Sequence, residues 1–144
     1  MNQLYFMNEK VNYILQWIEK GDHDLGTARI IREHLPEYYD TIAFHCQQAA
    51  EKYLKGWMVF HDMAVPRIHD LTVLLQYIST MTEIEEELFQ KAYMLNAFSV
   101  DVRYPETVIT LSESDIREAL DIAWLFRKQV LEHSDLAGKV KDLP

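Results

Sequence analysis

Several residue types are scarce in this 144-residue chain, which has one cysteine, four glycines and four prolines. The single Cys46 excludes an internal disulfide and fits a reducing compartment, so we expect a cytoplasmic protein. Few glycines and prolines argue against a loop-rich sandwich and favour long regular elements. The chain also lacks the long apolar run of a transmembrane helix and the basic and apolar segments of a secretory signal. We therefore expect no membrane association.

Basic charge is in short supply as well, and the formal net charge is −9 at pH 7. The deficit is uneven, because residues 41–75 hold three acidic and three basic residues, while the other 109 residues hold 20 acidic and 11 basic ones. Nucleic-acid binding that relies on phosphate contacts needs a basic surface, so we expect no binding to DNA. If an anion such as a nucleotide or RNA binds this chain, the neutral segment 41–75 is the favoured place.

Apolar residues recur at helical spacing through most of the chain, and no convincing alternating pattern of a β-strand appears. Asn8 and Asp70 are suitable N-terminal caps, and Thr82 and Ser112 each open a sequence with the spacing of a capping box. These signals predict five helices, at about 9–34, 37–62, 70–79, 83–99 and 112–133.

The chain shows no internal repeat, no low-complexity tract and no linker between domains. We therefore expect an all-α fold, a bundle of about five helices in a single domain over residues 1–144. Its core should lie at about 9–133, and residues 134–144 should form a polar tail that frays.

The segment 37–62 is predicted to be the central helix, because nine of its apolar residues fall in one broad arc. Cys46 lies in this arc, where a thiol usually packs as a small apolar group and does not act as a nucleophile. Phe44, Met58 and Val59 lie outside the arc, so the helix is buried on further sides. Either the bundle or a second subunit covers them, and the second alternative predicts a homodimer. The nine residues of the arc are Ile42, Ala43, Cys46, Ala49, Ala50, Tyr53, Leu54, Trp57 and Phe60.

The same segment has a polar edge formed by four side chains with two fixed positive charges. One interpretation is an anion or nucleotide-phosphate site, and the other is the solvated face that every amphipathic helix has. The pattern alone leaves both open. The four residues are His45, Gln48, Lys52 and Lys55.

Metal and cofactor chemistry have little support in the sequence. Three histidines stand immediately before an aspartate, but neighbouring residues on a helix point about 100° apart and chelate poorly. No bundle-type metal motif and no glycine-rich phosphate loop occur. We therefore expect no metal and no cofactor.

Four short segments, in this order and spacing, resemble the HEPN (higher eukaryotes and prokaryotes nucleotide-binding) domain family over roughly residues 10–132. Residues 39–55 read YDTIAFHCQQAAEKYLK and are similar to the second helix of the family. The other three segments are Asp24-Leu25 with Ala28, His69-Asp70-Leu71, and Arg103-Tyr104-Pro105.

The resemblance implies an antiparallel up-and-down helical bundle that commonly forms dimers. Family members include metal-independent ribonucleases, and small members are often encoded beside a minimal nucleotidyltransferase as a toxin–antitoxin-like pair. The ribonuclease branch carries an arginine followed, after roughly four to six residues, by a histidine that acts as general acid or base. The corresponding arginine here is Arg103, and Val108, Ile109 and Thr110 occupy the positions where that histidine would stand.

The same spacing occurs twice elsewhere, in Arg29 with His34 and in Arg127 with His133. Both pairs lie near the ends of predicted helices, outside the position of the family motif. Residues five or six apart point to different sides of a continuous helix, so we interpret both pairs as coincidences.

We therefore expect a HEPN-like protein that binds a nucleotide or a partner and is non-catalytic or weakly catalytic. Its expected partners are a second copy in a homodimer, a minimal nucleotidyltransferase, and a nucleotide or RNA. One alternative is a metal-independent toxin ribonuclease that uses Arg103 with His69 as a non-standard partner. Another alternative is a purely structural helical adaptor. The expected binding residues are His45, Gln48, Lys52, Lys55, His69, Arg103 and Tyr104.

Overall fold

The computed structural model describes residues 3–100, 105 and 110–143, and these residues form five α-helices and one short 3-10 helix. No strand occurs among them, and none of their helices is long and apolar enough to cross a membrane. The predicted all-α class and the five helices are confirmed. The α-helices are α1 (Gln3–His34), α2 (Tyr39–Phe60), α3 (Leu71–Ser79), α4 (Glu86–Val100) and α5 (Glu113–Ser134), and the 3-10 helix spans Ala137–Lys139.

The second helix is the centre of the bundle, because α2 packs against α1, α3, α4 and α5. Gly56 lets α1 come close, since a Cβ placed there would lie 3.3 Å from the Cβ of Trp17. Lys52, which precedes Gly56 on α2, pairs with Asp24, which follows Trp17 on α1. Residue numbers along α1 therefore fall as those along α2 rise, so the two helices are antiparallel.

The bundle itself covers most of the residues that suggested a second subunit. Met58 and Val59 lie outside the main apolar arc of α2, yet both are buried within the single chain. Of the two alternatives for these residues, the bundle is the one that covers them, and the homodimer stays a prediction. The physical reason is that four helices surround α2, so little of its apolar surface is left over for a partner.

The first helix is continuous across both of its glycines, as predicted, but it begins earlier than expected. The described part of α1 starts at Gln3, so Asn8 is an internal helical residue and not a cap. The residues before Asn8 carry no one-sided apolar pattern, and four large apolar side chains there are exposed. These are Leu4, Tyr5, Phe6 and Met7.

Two of the four predicted helix caps are confirmed, those at Asp70 and Ser112. Ser112 and Asp115 form the predicted capping box at the start of α5, and Asp70 accepts hydrogen bonds from the first backbone amides of α3. The prediction at Thr82 is wrong, because α4 begins only at Glu86. Ile84 packs against the core in the non-helical segment that precedes α4.

The segment after α5 packs against the bundle, whereas we expected residues 134–144 to fray. Asp135 adopts a left-handed conformation with φ of 57° and turns the chain back at the end of α5. Leu136 is buried, and Val140 and Leu143 pack against the core. Arg127 adds a hydrogen bond of 2.9 Å from Nη2 to the backbone oxygen of Lys141. Spaced apolar residues and one buried donor thus hold a segment whose composition is polar.

Two glycines of α1 give a matched test of this packing. A Cβ on Gly21 would lie 2.5 Å from Cε1 of Tyr53, whereas a Cβ on Gly26 would meet nothing within 4 Å. We expect Gly26→Ala to raise the free energy of unfolding by up to about 1 kcal/mol through helix propensity. Gly21→Ala should lower it by about 1–3 kcal/mol through overpacking. Urea denaturation measures both, and equal effects of the two substitutions would contradict the close packing of α1 on α2.

Candidate functional site

Two members of the predicted polar edge of α2 contact one carboxylate of α1. Nδ1 of His45 lies 3.0 Å from Oδ1 of Asp24, and the ammonium group of Lys52 donates a hydrogen bond to Oδ2 of the same residue. His45 and Lys52 are seven residues apart on α2 and therefore share one face. Asp24 therefore neutralises much of the positive charge that the sequence places on this face.

A second carboxylate, that of Glu51, lies inside the bundle and has two partners. Its side chain is only 6% exposed, and Nζ of Lys55 donates a hydrogen bond to Oε2 across 3.0 Å. Lys55 is itself buried, and its Nζ lies 5.8 Å from the centre of the Trp17 ring. Each charge compensates the other, as buried charges require. Lys55 therefore faces the interior and cannot contact a ligand at the surface without breaking this pair.

The other partner of Glu51 is His69, whose side chain is 77% exposed. Nδ1 of His69 lies 2.9 Å from Oε1 of Glu51. A carboxylate only accepts hydrogen bonds, so Nδ1 carries the proton and donates it. In the neutral ring Nε2 is then an acceptor on the exposed side, and it makes no hydrogen bond with any described residue. A buried carboxylate thus orients an exposed imidazole, an arrangement used in general acid–base catalysis and in ligand binding.

The backbone around His69 is fixed from α2 as well. Nε2 of Gln47 donates a hydrogen bond of 2.8 Å to the backbone oxygen of His69. Nε2 of Gln48 in turn donates to Oε1 of Gln47 across 2.9 Å, so Gln48 acts on the loop indirectly. Gln47 is buried, which makes it part of the support of the loop and not of a surface site.

Hydrogen bonds to Asp70 and Asn96 connect the start of α3 to α4. Oδ1 of Asp70 accepts from the backbone amide of Thr72 at 2.9 Å and from Nδ2 of Asn96 at 2.8 Å. Oδ1 of Asn96 accepts from the backbone amide of Leu71 at 3.2 Å. Burial opposes ionisation of Asp70, but the hydrogen bonds it accepts outweigh burial and hold its pKa below the usual range. His69 is therefore positioned by α2 on one side and by α4 through its neighbour Asp70.

The structure divides the predicted binding residues into two groups. His45 and Lys52 meet at Asp24, whereas Lys55 and His69 meet at Glu51. Of these four, His69 is the one with a largely exposed side chain. Arg103 and Tyr104 lie outside the described residues.

Arg127 and His133, one of the two coincidental arginine–histidine spacings, take part in separate structural contacts. Arg127 donates hydrogen bonds to Asp22 from Nε at 2.8 Å and from Nη2 at 3.1 Å, and the Tyr53 hydroxyl donates to Asp22 at 2.6 Å. Burial and the neighbouring carboxylate hold the pKa of Tyr53 well above its usual range, so this hydroxyl stays protonated. His133 instead stacks on Trp57, with ring centres 4.7 Å apart. Arg127 is therefore a structural residue that joins α5 to α1.

Two further types of chemistry have no support in the described residues. Burial raises the pKa of the Cys46 thiol to about 12, although Arg29 and Arg32 act in the opposite direction. The thiol is therefore protonated at neutral pH and is not a nucleophile. No group of three or more histidine, cysteine or acidic side chains in residues 3–100, 105 and 110–143 is arranged to hold a metal ion.

The carboxylates Asp24 and Glu51 are the residues that the sequence interpretation of the polar edge missed. Both belong to segments that resemble the family, so a signal was available. The α2 pattern shows only donors on its edge, however, and Asp24 comes from another helix. The contacts of Asp24 with His45 and Lys52 depend on the register of α1 against α2. The pattern of a single helix does not contain that register.

Comparisons with known proteins agree with this architecture. The family model described as HEPN domain matches residues 14–133. The crystal structure of TT1696 from Thermus thermophilus is similar, with a TM-score of 0.74 and 27% sequence identity over 84% of this chain and 98% of that chain. So is ST0689, titled an archaeal HEPN homologue, with a TM-score of 0.67 and 26% identity over 84% of this chain and 97% of that chain. The comparison with curated proteins gives no match.

The two lysines of α2 give a test of how the charges are compensated. Lys55→Met leaves Glu51 buried with only His69 as a partner, so we expect it to lower the free energy of unfolding by about 3–5 kcal/mol. Lys52→Met removes a more exposed partner from Asp24, which keeps His45, and should cost roughly 1 kcal/mol. Urea denaturation measures both variants. A larger loss for Lys52→Met would refute the burial of the Glu51–Lys55 pair.

Proposed function

This chain belongs to the HEPN domain family, and on that premise we propose that it binds a nucleotide or an RNA end through His69. The observation that carries the proposal is the contact between Glu51 and Nδ1 of His69, which orients Nε2 towards solvent on a largely exposed ring. Nε2 of the neutral ring can accept a hydrogen bond from a base or a ribose hydroxyl, and in the protonated ring it can donate one to a phosphate. Glu51 holds the ring, so binding needs no search over rotamers. Arg103 and Tyr104 would supply the charged and aromatic contacts to the same ligand.

The remaining predicted residues have a positioning role in this proposal. His45 and Lys52 fasten α2 to α1 through Asp24, and Lys55 compensates the charge of Glu51. Gln48 supports the loop through Gln47. None of them needs to contact the ligand, because each already contacts a carboxylate or an amide of the protein itself.

We propose that binding occurs without efficient catalysis. Cleavage of RNA without a metal needs proton transfer at the 2′-hydroxyl, and a positioned acid or base contributes about 10²–10⁴-fold to the rate. The segment after Arg103 lacks the histidine of the ribonuclease branch. A net charge of −9 also disfavours the approach of a long polyanion.

Thermal unfolding in the presence of ribonucleoside mono- and triphosphates tests the binding role. At a ligand concentration near 100 times Kd, we expect a stabilisation of about 2.7 kcal/mol, which is a rise in Tm of roughly 5–10 °C. His69→Ala should abolish this rise. His23→Ala is the matched control, because His23 is also an exposed histidine and contacts Glu19 on its own helix. The absence of any shift, or an equal shift in His69→Ala, would leave a purely structural helical adaptor as the better account.

A metal-independent toxin ribonuclease is the second candidate, and the pairing of Glu51 with His69 is the observation that favours it. In that mechanism Nε2 of His69 would accept the proton of the 2′-hydroxyl, and Arg103 would stabilise the charged phosphorus in the transition state. We expect no efficient cleavage when the purified protein is incubated with labelled single-stranded RNA and EDTA. Cleavage that is lost in both Arg103→Ala and His69→Ala would reverse the ranking of the two functions.

The partners of this chain are proposed on the basis of its family. We propose a cytoplasmic homodimer that works with a minimal nucleotidyltransferase in a toxin–antitoxin-like pair. The exposed apolar side chains at the start of α1, such as Leu4 and Phe6, offer surface for a protein contact. Light scattering tests the homodimer, and a monomer at protein concentrations on the order of tens of micromolar would remove it.

A further inference from the structure

A second surface has the chemistry of a single-strand binding site, and it is centred on Trp124 of α5. The indole is 41% exposed, although tryptophan is usually well buried. It borders two shallow grooves, of about 550 and 510 Å³. We call this region the Trp124 surface, and its five basic side chains are Arg29, Arg32, Lys91, Arg117 and Lys128.

The Trp124 surface differs in charge from the rest of the chain. Its five basic residues face three acidic ones, Glu33, Glu118 and Asp121, which leaves +2 in the two grooves. Since the whole chain carries −9, the remaining residues carry −11. Glu113 and Glu132 pair with Arg117 and Lys128 at the border of the grooves and bring the charge of the whole region to zero. An anionic partner is therefore repelled less by this surface than by the rest of the chain.

Two guanidinium groups hold the indole in place. The Cζ atoms of Arg29 and Arg127 lie 5.1 and 5.2 Å from the centre of the Trp124 ring. Arg127 is fixed in turn by its two hydrogen bonds to Asp22. An incoming base can stack on the Arg29 guanidinium or replace it over the indole, and both contacts are used in the recognition of single-stranded RNA.

The other basic side chains are available to phosphates. Lys91 lies 3.4 Å from Glu118, and Lys128 lies 3.9 Å from Glu132. Arg117 contacts Glu113 at 3.9 Å. Such long, partly exposed pairs contribute roughly 0–1 kcal/mol each, so a phosphate displaces them at little cost. Arg32 forms no ion pair with any described residue.

We propose that the Trp124 surface binds single-stranded RNA, with a base at Trp124 and Arg29 and phosphates at Arg32 and Lys128. This inference rests on the proposed nucleotide-binding function and extends it from one nucleotide to a strand. The surface and the His69 loop border the same helix, since α4 supplies Lys91 to the first and Asn96 to the second. Lys91 and Asn96 are five residues apart and lie on different sides of α4, so a strand that reaches both surfaces must pass around this helix.

Binding of a fluorescently labelled oligouridylate of about ten residues, measured by anisotropy at several salt concentrations, tests the proposal. Trp124→Leu should weaken binding about tenfold through the lost stacking, and Trp124→Phe should weaken it less. The double variant Arg32→Gln and Lys128→Gln should reduce the slope of log K against log salt by roughly 1.4, which is about 0.7 for each lost phosphate contact.

Matched controls remove an aromatic ring or two charges elsewhere on the surface. Tyr93→Leu removes the most exposed aromatic side chain among the described residues of α4, and Lys20→Gln with Lys139→Gln removes two exposed charges. We expect both controls to bind the oligouridylate as the wild type does. Thermal unfolding of every variant shows whether a loss of binding comes from a loss of folded protein.

Each outcome separates this inference from the proposed function. RNA binding that is lost in His69→Ala but unchanged in the Trp124 and Arg32–Lys128 variants overturns the inference and leaves the proposed function standing. No binding of the oligouridylate to the wild type also overturns it, while the Tm shift with mononucleotides decides the proposed function separately. The inference is also overturned if the Trp124 surface proves to contact a second copy of the chain, or if it binds an acidic peptide and no RNA.

Discussion

The burial of one carboxylate, that of Glu51, constrains the arrangement around α2. Four helices enclose α2, so a charge on its interior face cannot be hydrated and must be compensated within the bundle. Lys55 supplies the compensating charge from one turn further along, and His69 supplies a hydrogen bond from the loop before α3. The position of that loop is therefore fixed by the same requirement that stabilises the core.

This constraint explains why a polar edge on α2 leads to one exposed functional group. A helical wheel places Lys52 and Lys55 together, but Lys52 joins α2 to α1 through Asp24, and Lys55 pairs with Glu51 inside the bundle. The imidazole of His69 is what the network presents to solvent. His69 is thus the exposed end of a network that begins at the buried carboxylate of Glu51.

Sequence patterns predicted the features that depend on neighbouring residues. Ser112 and Asp115 form their capping box because both partners lie within one turn, and the apolar arc of α2 identified the central helix. The contact between Lys52 and Asp24 was not predicted, since it depends on the register of two helices. Trp124 was also missed, because an exposed indole and a buried one have the same spacing on a helix until the packing of α5 is known.

The protonation pattern of His69 tests the central claim most directly. Nitrogen-15 NMR of the neutral imidazole distinguishes a proton on Nδ1 from one on Nε2, and the contact with Glu51 predicts Nδ1. His23 is an internal reference, because it is an exposed histidine with no short contact to a carboxylate, its Nε2 lying 3.8 Å from Glu19. Glu51→Met, which removes both acceptor oxygens, should remove the preference at His69 and leave His23 unchanged. A proton on Nε2 of His69 in the wild type would contradict the account.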